Sequence, residues 1–164
     1  MVIIIASREH IGEIIRLEQE FFSGVGYSPE IPEAYELVLD LGRVVVKYEN
    51  SRAEGMLATV PVKSMIENAN RVLGLPGGSP LRERYQRGYF NGYDNRTFIC
   101  AFVSKKPSPD LVRKFRELPK AVGFVNEGNE KALDFYRRLS CRIEGKVENI
   151  HVPGKFDYVL IYDR

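Results

Sequence analysis

Apolar positions recur along this chain with two periods, and the switches between them divide it into strands and helices. Residues 2–6 form a short continuous apolar run, the mark of a buried strand. After Ser7, a helix-capping residue type, Ile11, Ile14, Ile15, Glu18, Phe21 and Phe22 fall at helical spacing, with Gly24 and Gly26 as the stop. Pro32 suits a first helical turn, and a second helix over 34–41 ends at Gly42. The β-branched run 44–46 with Tyr48, the turn Asn50-Ser51-Arg52 and the run 55–62 predict an antiparallel hairpin. Residues 97–103 predict another strand. Ser108-Pro109-Asp110 then opens a helix with Leu111, Val112, Phe115 and Leu118 on its apolar face, ended by Pro119. A strand over 121–125 precedes a helix capped by Asn129, with Ala132, Phe135, Tyr136 and Leu139 as its stripe. Two strands, over 142–152 and 156–162, close the chain around Pro153-Gly154.

Residues 63–96 break this regularity. A helix over 65–73 is interrupted by Gly74, Pro76, Gly77, Gly78 and Pro80. Arginines (Arg82, Arg84, Arg87) then mix with Tyr85, Tyr89, Phe90 and Tyr93. As an irregular insert, this stretch is either a lid or contact surface, or an excursion whose tyrosines pack on a sheet edge.

The element order predicts one α/β domain over 1–164. Its centre is a mixed, mostly antiparallel α+β sheet of about seven strands, flanked by about four to five helices. Hydrophobic residues at 44% and charged residues at 28% exclude disordered and fibrous classes. A net charge of +2 is too small to argue for nucleic acid or an anionic membrane. Cys100 and Cys141 have neither a CxxC spacing nor a histidine set nearby, so reduced thiols, no metal site and a cytoplasmic location are expected. The apolar start is too short for a signal peptide or a membrane span.

The stretch Val122 to Cys141, VGFVNEGNEKALDFYRRLSC, resembles the late strand–helix unit of the GNAT N-acetyltransferase superfamily. Asn129, Ala132, Phe135, Tyr136 and Leu139 fall in its register, and Asp157 stands where an acid often opens the last strand. Ser140 and Cys141 replace the usual Gly and Phe. The resemblance implies a GNAT-like fold and transfer of acetyl from acetyl-CoA, as co-substrate, to a small-molecule or peptide amine; it allows a homodimer. Tyr136 is the implied catalytic acid, protonating the leaving thiolate; a core tyrosine at the helix–sheet boundary explains the residue equally. Val103 and Ser104 end the strand whose backbone would pair with the pantetheine arm, and Asn129 is both helix cap and cofactor contact.

The family's glycine-rich diphosphate turn is missing. Its place is taken by Val103-Ser104-Lys105-Lys106-Pro107-Ser108-Pro109-Asp110, which has no glycine, two prolines without an N–H, and an acid. Lys105 and Lys106 offer point charges in compensation. Arg71 to Gly78 mimics the missing turn, but before the strand instead of after it. Glu18, Glu54 and Glu67 are the candidate bases, each read first as a solvated surface acid. A rival reading is a cofactor-less GNAT-fold module that binds or regulates through the vacated cleft or the Arg/Tyr-rich insert, which predicts a cleft filled by Phe102 or by residues of the insert.

Overall fold

The computed structural model describes residues 1–22 and 29–164; Gly24 and Gly26, expected to stop the first helix, lie outside the described residues. Strand β1 (Val2–Ile5) enters α1 (Ile11–Phe22) through a 3-10 turn, Arg8–His10. The Ser7 N–H donates to His10 Nδ1 at 3.1 Å, so this histidine helps to cap the turn. Helix α2 (Pro32–Leu41) begins on its proline and ends at Gly42, whose N–H donates to the Val38 carbonyl. Gly42 is needed for space: a Cβ there would fall 2.1 Å from the Thr59 carbonyl oxygen. Strands β2 (Arg43–Glu49) and β3 (Arg52–Pro61) make the expected hairpin, with Asn50 and Ser51 both at positive φ.

Residues 63–96 are more regular than their composition implied. They carry α3 (Val62–Glu67), α4 (Ala69–Leu73) and α5 (Pro80–Gln86). The glycines and prolines mark helix boundaries, while Val62, Met65, Val72, Leu75, Leu81 and Phe90 are buried in the core beside α1 and α2. That burial overrides the local breakers. The described residues therefore hold seven α-helices instead of four or five.

Strand β4 (Thr97–Ser104), α6 (Pro109–Arg116), β5 (Lys120–Asn126), α7 (Glu130–Arg138), β6 (Arg142–Glu148) and β7 (Phe156–Asp163) complete the chain. Strand β6 stops at Glu148, short of the expected 152. Asn149 Oδ1 accepts the N–H groups of His151 and Val152 at 2.8 and 2.6 Å, which takes them out of the ladder. His151 thus sits in a turn, not in a strand.

Among the described residues the sheet has seven strands in the order β1-β2-β3-β4-β5-β7-β6. Only β4 and β5 run parallel, which gives the mixed sheet the pattern predicted. One core lies under α1 to α5; the other lies under α6 and α7, around Leu111, Phe115, Leu133 and Leu160. Leu17 and Leu133 are buried core positions that the apolar stripes of their helices had not included. Phe115 is wholly buried, its ring 4.7 Å from Tyr162 and stacked 5.7 Å from Phe102. Burying such a side chain stabilises the fold by about 1.5–3 kcal/mol. Among the described residues, no helix is long and apolar enough to cross a membrane.

Candidate active site

Strand β4 stays paired with β3 from Thr97 to Ser104, and β5 stays paired with β7 along its whole length. Between β4 and β5, however, only Thr97↔Ala121 and Phe98↔Val122 pair. Beyond Phe98 the two strands diverge, and the edge of β4 that faces β5 has no partner strand. A cavity of about 80 Å³ occupies this wedge. Asn129, Ala132 and Tyr136 of α7 line it on one face of the sheet, and Glu18, Glu30, Tyr35 and Arg84 on the other. The cavity therefore runs through the plane of the sheet.

Helix α7 begins at its expected cap. Asn129 Oδ1 accepts the Ala132 N–H at 3.1 Å, which caps the helix and sets its angle to the wedge. Two turns on, Tyr136 is buried, with its ring 6.5 Å from both Phe102 and Phe115. The helix closes through Ser140 at φ 67, the left-handed region where glycine is favoured. That geometry accounts physically for the glycine the resemblance places there. Phe102 leans onto Phe135 at 5.0 Å and also borders the cavity, without filling it.

The turn from β4 to α6 commits part of its backbone. The Lys105 N–H donates to the Glu54 carbonyl at 2.8 Å, and the Leu111 N–H goes to Ser108 Oγ. Ser104 Oγ donates to the Lys106 carbonyl. Pro107 and Pro109 have no N–H, so Lys106, Ser108 and Asp110 retain the amides of this turn with no bond among the described residues. Lys105 Nζ lies 2.7 Å from Glu20 and 3.8 Å from Glu54; Lys106 Nζ lies 3.2 Å from Glu49. Val103 and Ser104 stand at the end of β4, on its unpaired edge.

The opposite face needs a correction. Glu18 is not a solvated acid: only 4% of it is exposed, because it sits within the apolar face of α1. Its carboxylate accepts the Glu30 N–H at 2.8 Å. Burial pushes the Glu18 carboxyl up to about 7; the Glu30 charge adds to the rise, while that N–H and the Arg84 charge oppose it. Glu30 is also raised, first by burial, and it accepts the N–H of Leu81 at 2.8 Å, which anchors the start of α5. The wholly buried Tyr35 hydroxyl lies beside Glu18 with no hydrogen bond of ordinary geometry among the described residues. Of the other candidate bases, Glu67 is exposed and Glu54 pairs with Lys105. In the sequence Glu18 is a break in an apolar stripe; only its neighbours in the fold reveal the shifted acid.

Most of the Arg/Tyr-rich stretch is spent inside the molecule. Arg82 donates to the Leu75 carbonyl, Arg87 pairs with Glu83 and Glu148, and the Tyr89 and Tyr93 hydroxyls donate to the Glu148 carbonyl and to Glu144. Arg71 pairs with Asp40 at 2.6 Å, and so the glycine run after it builds no anion site with that arginine. Asp157 is wholly buried, its Oδ1 accepting from Asn149 Nδ2 at 2.8 Å.

No protein-family model matches the sequence, and no curated protein matches it either. Solved structures do. An N-acetyltransferase from Staphylococcus aureus Mu50 superposes with a TM-score of 0.65 at 17% identity, covering 99% of this chain and 100% of the other. A GNAT-family acetyltransferase from Bacillus cereus ATCC 10987 gives 0.62 at 14%, covering 99% and 96%. Arabidopsis thaliana Naa50, in complex with the bisubstrate analogue CoA-Ac-MVNAL, gives 0.65 at 13%, covering 99% and 98%. The fold is the GNAT fold. Within it, this chain has parted β4 and β5 strands and a capped α7, and its β4–α6 turn lacks the glycines of the pattern it resembles.

Proposed function

We propose that the chain transfers an acetyl group from acetyl-CoA to a primary amine, with the wedge between β4 and β5 as its acyl slot. One observation carries this: β4–β5 pairing ends after Phe98, beside a cavity lined by residues from both faces of the sheet. The likeness to acetyltransferase structures supports the reading, and so does the Naa50 complex with a CoA-containing analogue. The unpaired β4 edge through Val103 and Ser104 offers backbone groups to the amides of the CoA arm, with Asn129 beside it. Lys105 and Lys106 supply positive charge for the diphosphate once they exchange their glutamate partners.

Acetyl-CoA brings an activated thioester carbonyl; positioning within the wedge does much of the remaining work. The acceptor enters from the α1 and α5 face. Glu18, poised near neutrality, takes one proton from its ammonium group. The freed nitrogen bonds to the acyl carbon, the carbon–sulfur bond breaks, and the Tyr136 hydroxyl gives its proton to the sulfur. The second proton, now shed by the acylated nitrogen, restores the Tyr136 phenol, and Glu18 releases its own proton to solvent. Glu18 must be ionised for this, so the rate rises with pH through about 7.

The β4–α6 turn favours a second reading, a GNAT-fold module that no longer uses CoA and binds through the cleft. Its prolines, the committed Lys105 amide and the ion-paired lysines all weaken a diphosphate site. Calorimetric titration with acetyl-CoA separates the two. Measurable heat and a raised melting temperature are expected; no heat and an unshifted melting temperature would remove the transferase and leave the module.

A further inference from the structure

We propose that Arg84 is the carboxylate-binding half of an acceptor subsite, so that the acetylated amine is a small amino acid with a free carboxylate. This rests on the acetyl-transfer reading and names its acceptor class.

Arg84, on α5, is only 6% exposed and borders the cavity. Its guanidinium lies over the Phe124 ring, 5.6 Å from the centroid, and its buried Nε has no hydrogen-bond partner. Among the described residues it makes no ion pair. The other arginines of this stretch each have an acceptor: Arg82, whose Nε is likewise unpartnered, donates to a carbonyl, and Arg87 pairs with two glutamates. A buried guanidinium without acceptors is costly, and such a group calls for a cause.

The nearby acids do not provide one. Asp157, whose buried Oδ2 is itself without a partner, feels the Arg84 charge but does not pair with it. Glu30 is occupied by the N–H groups of Leu81 and Ile31 and by the Ser79 side chain. Glu18 holds the Glu30 N–H. Both feel the positive charge of Arg84, yet neither pairs with it. Its donors are left to a visitor in the cavity, and a planar carboxylate meets a guanidinium fork with two parallel hydrogen bonds.

Glu18, on the same face, then receives the ammonium group. One molecule with both charges satisfies the two side chains together and brings its nitrogen to the base. The size restricts the ligand to a small one: about 80 Å³ is the room of two or three waters at about 30 Å³ each, the scale of the smallest amino acids. Val38, Leu81 and Phe98 around it favour an apolar body.

The test uses the full chain without CoA. The proteinogenic L-amino acids, their amides and the matching decarboxylated amines are compared by calorimetry and thermal shift. At least one acid should bind about tenfold or more tightly than its own amide and amine, the contribution expected of a charge-assisted pair. Arg84→Gln should bring the three forms level, and Arg84→Lys should recover only part of the difference. The ligand comparison on the native protein decides alone if the variants fail to fold. Equal binding of acid, amide and amine, or binding by no acid, would overturn the subsite. Acetyl-CoA is titrated separately. If acids bind and acetyl-CoA does not, the transferase reading falls and the subsite stands; if amides are acetylated as fast as acids, the subsite falls and the transferase stands.

Discussion

Replacing Glu18 by glutamine tests the electrostatics of the cleft through stability alone, without any substrate. In the folded chain Glu18 keeps its proton to about pH 7; in the unfolded chain it loses it near 4.5. Between these values the native state binds more protons than the unfolded state, so stability falls as pH rises from 4.5 to 7. The full loss is present above that window. The displacement, 7 − 4.5 = 2.5 units, amounts to about 3 kcal/mol at 1.36 kcal/mol each. Glu18→Gln removes the titration but keeps volume and an acceptor oxygen for the Glu30 N–H. The variant should therefore gain about 3 kcal/mol over the native protein between about pH 4.5 and pH 8. Part of that gain arises because Glu30 ionises more readily beside a neutral neighbour. Urea unfolding across a pH series, followed by the emission of the nine tyrosines in a chain with no tryptophan, gives both curves. Taking their difference cancels the other shifted groups, Asp157 and His151 among them. Parallel curves, or a gain confined to low pH, would show that Glu18 is not held protonated by its surroundings.

Three further substitutions probe the frame and the chemistry. Ser140→Gly relieves a left-handed residue at the end of α7 and should raise stability by about 1 kcal/mol in the same urea assay. Gly42→Ala drives a Cβ to 2.1 Å from the Thr59 carbonyl; a loss of about 2–4 kcal/mol should appear as a lower urea midpoint. Tyr136→Phe should lower kcat for acetyl transfer about 100-fold with acetyl-CoA affinity unchanged, as read from initial rates and calorimetry. An unchanged kcat would reduce Tyr136 to packing.

The strands and the two helices after β4 were legible because their apolar spacing reports directly on burial. Asn129 as a cap and Pro32 as a helix start are local, short-range signals, and both hold. The insert was read by its glycines and prolines, which correctly placed boundaries; the helix expected over 65–73 is present as α3 and α4, whereas α5 was not foreseen. Met65, Val72 and Leu81 find their core partners far away in sequence, so the stabilising contacts were invisible locally. The same limit applies to the site. Glu18 and Arg84 are 66 residues apart, and nothing in the spacing shows that α1 and α5 converge on one cavity. The proline-bearing turn was plain in the sequence, whereas the engagement of its lysines with Glu20 and Glu49 required the fold.

The short β4–β5 seam bears on how a guest would enter. Because just two residue pairs join the halves of the sheet through backbone, a molecule threading between them need break no ladder bond. The halves are fastened mainly from above and below, by side chains that can shift without unzipping a strand. Admission to the centre of this protein is thus a matter of moving rings and methyl groups aside, while the sheet on either side keeps its register.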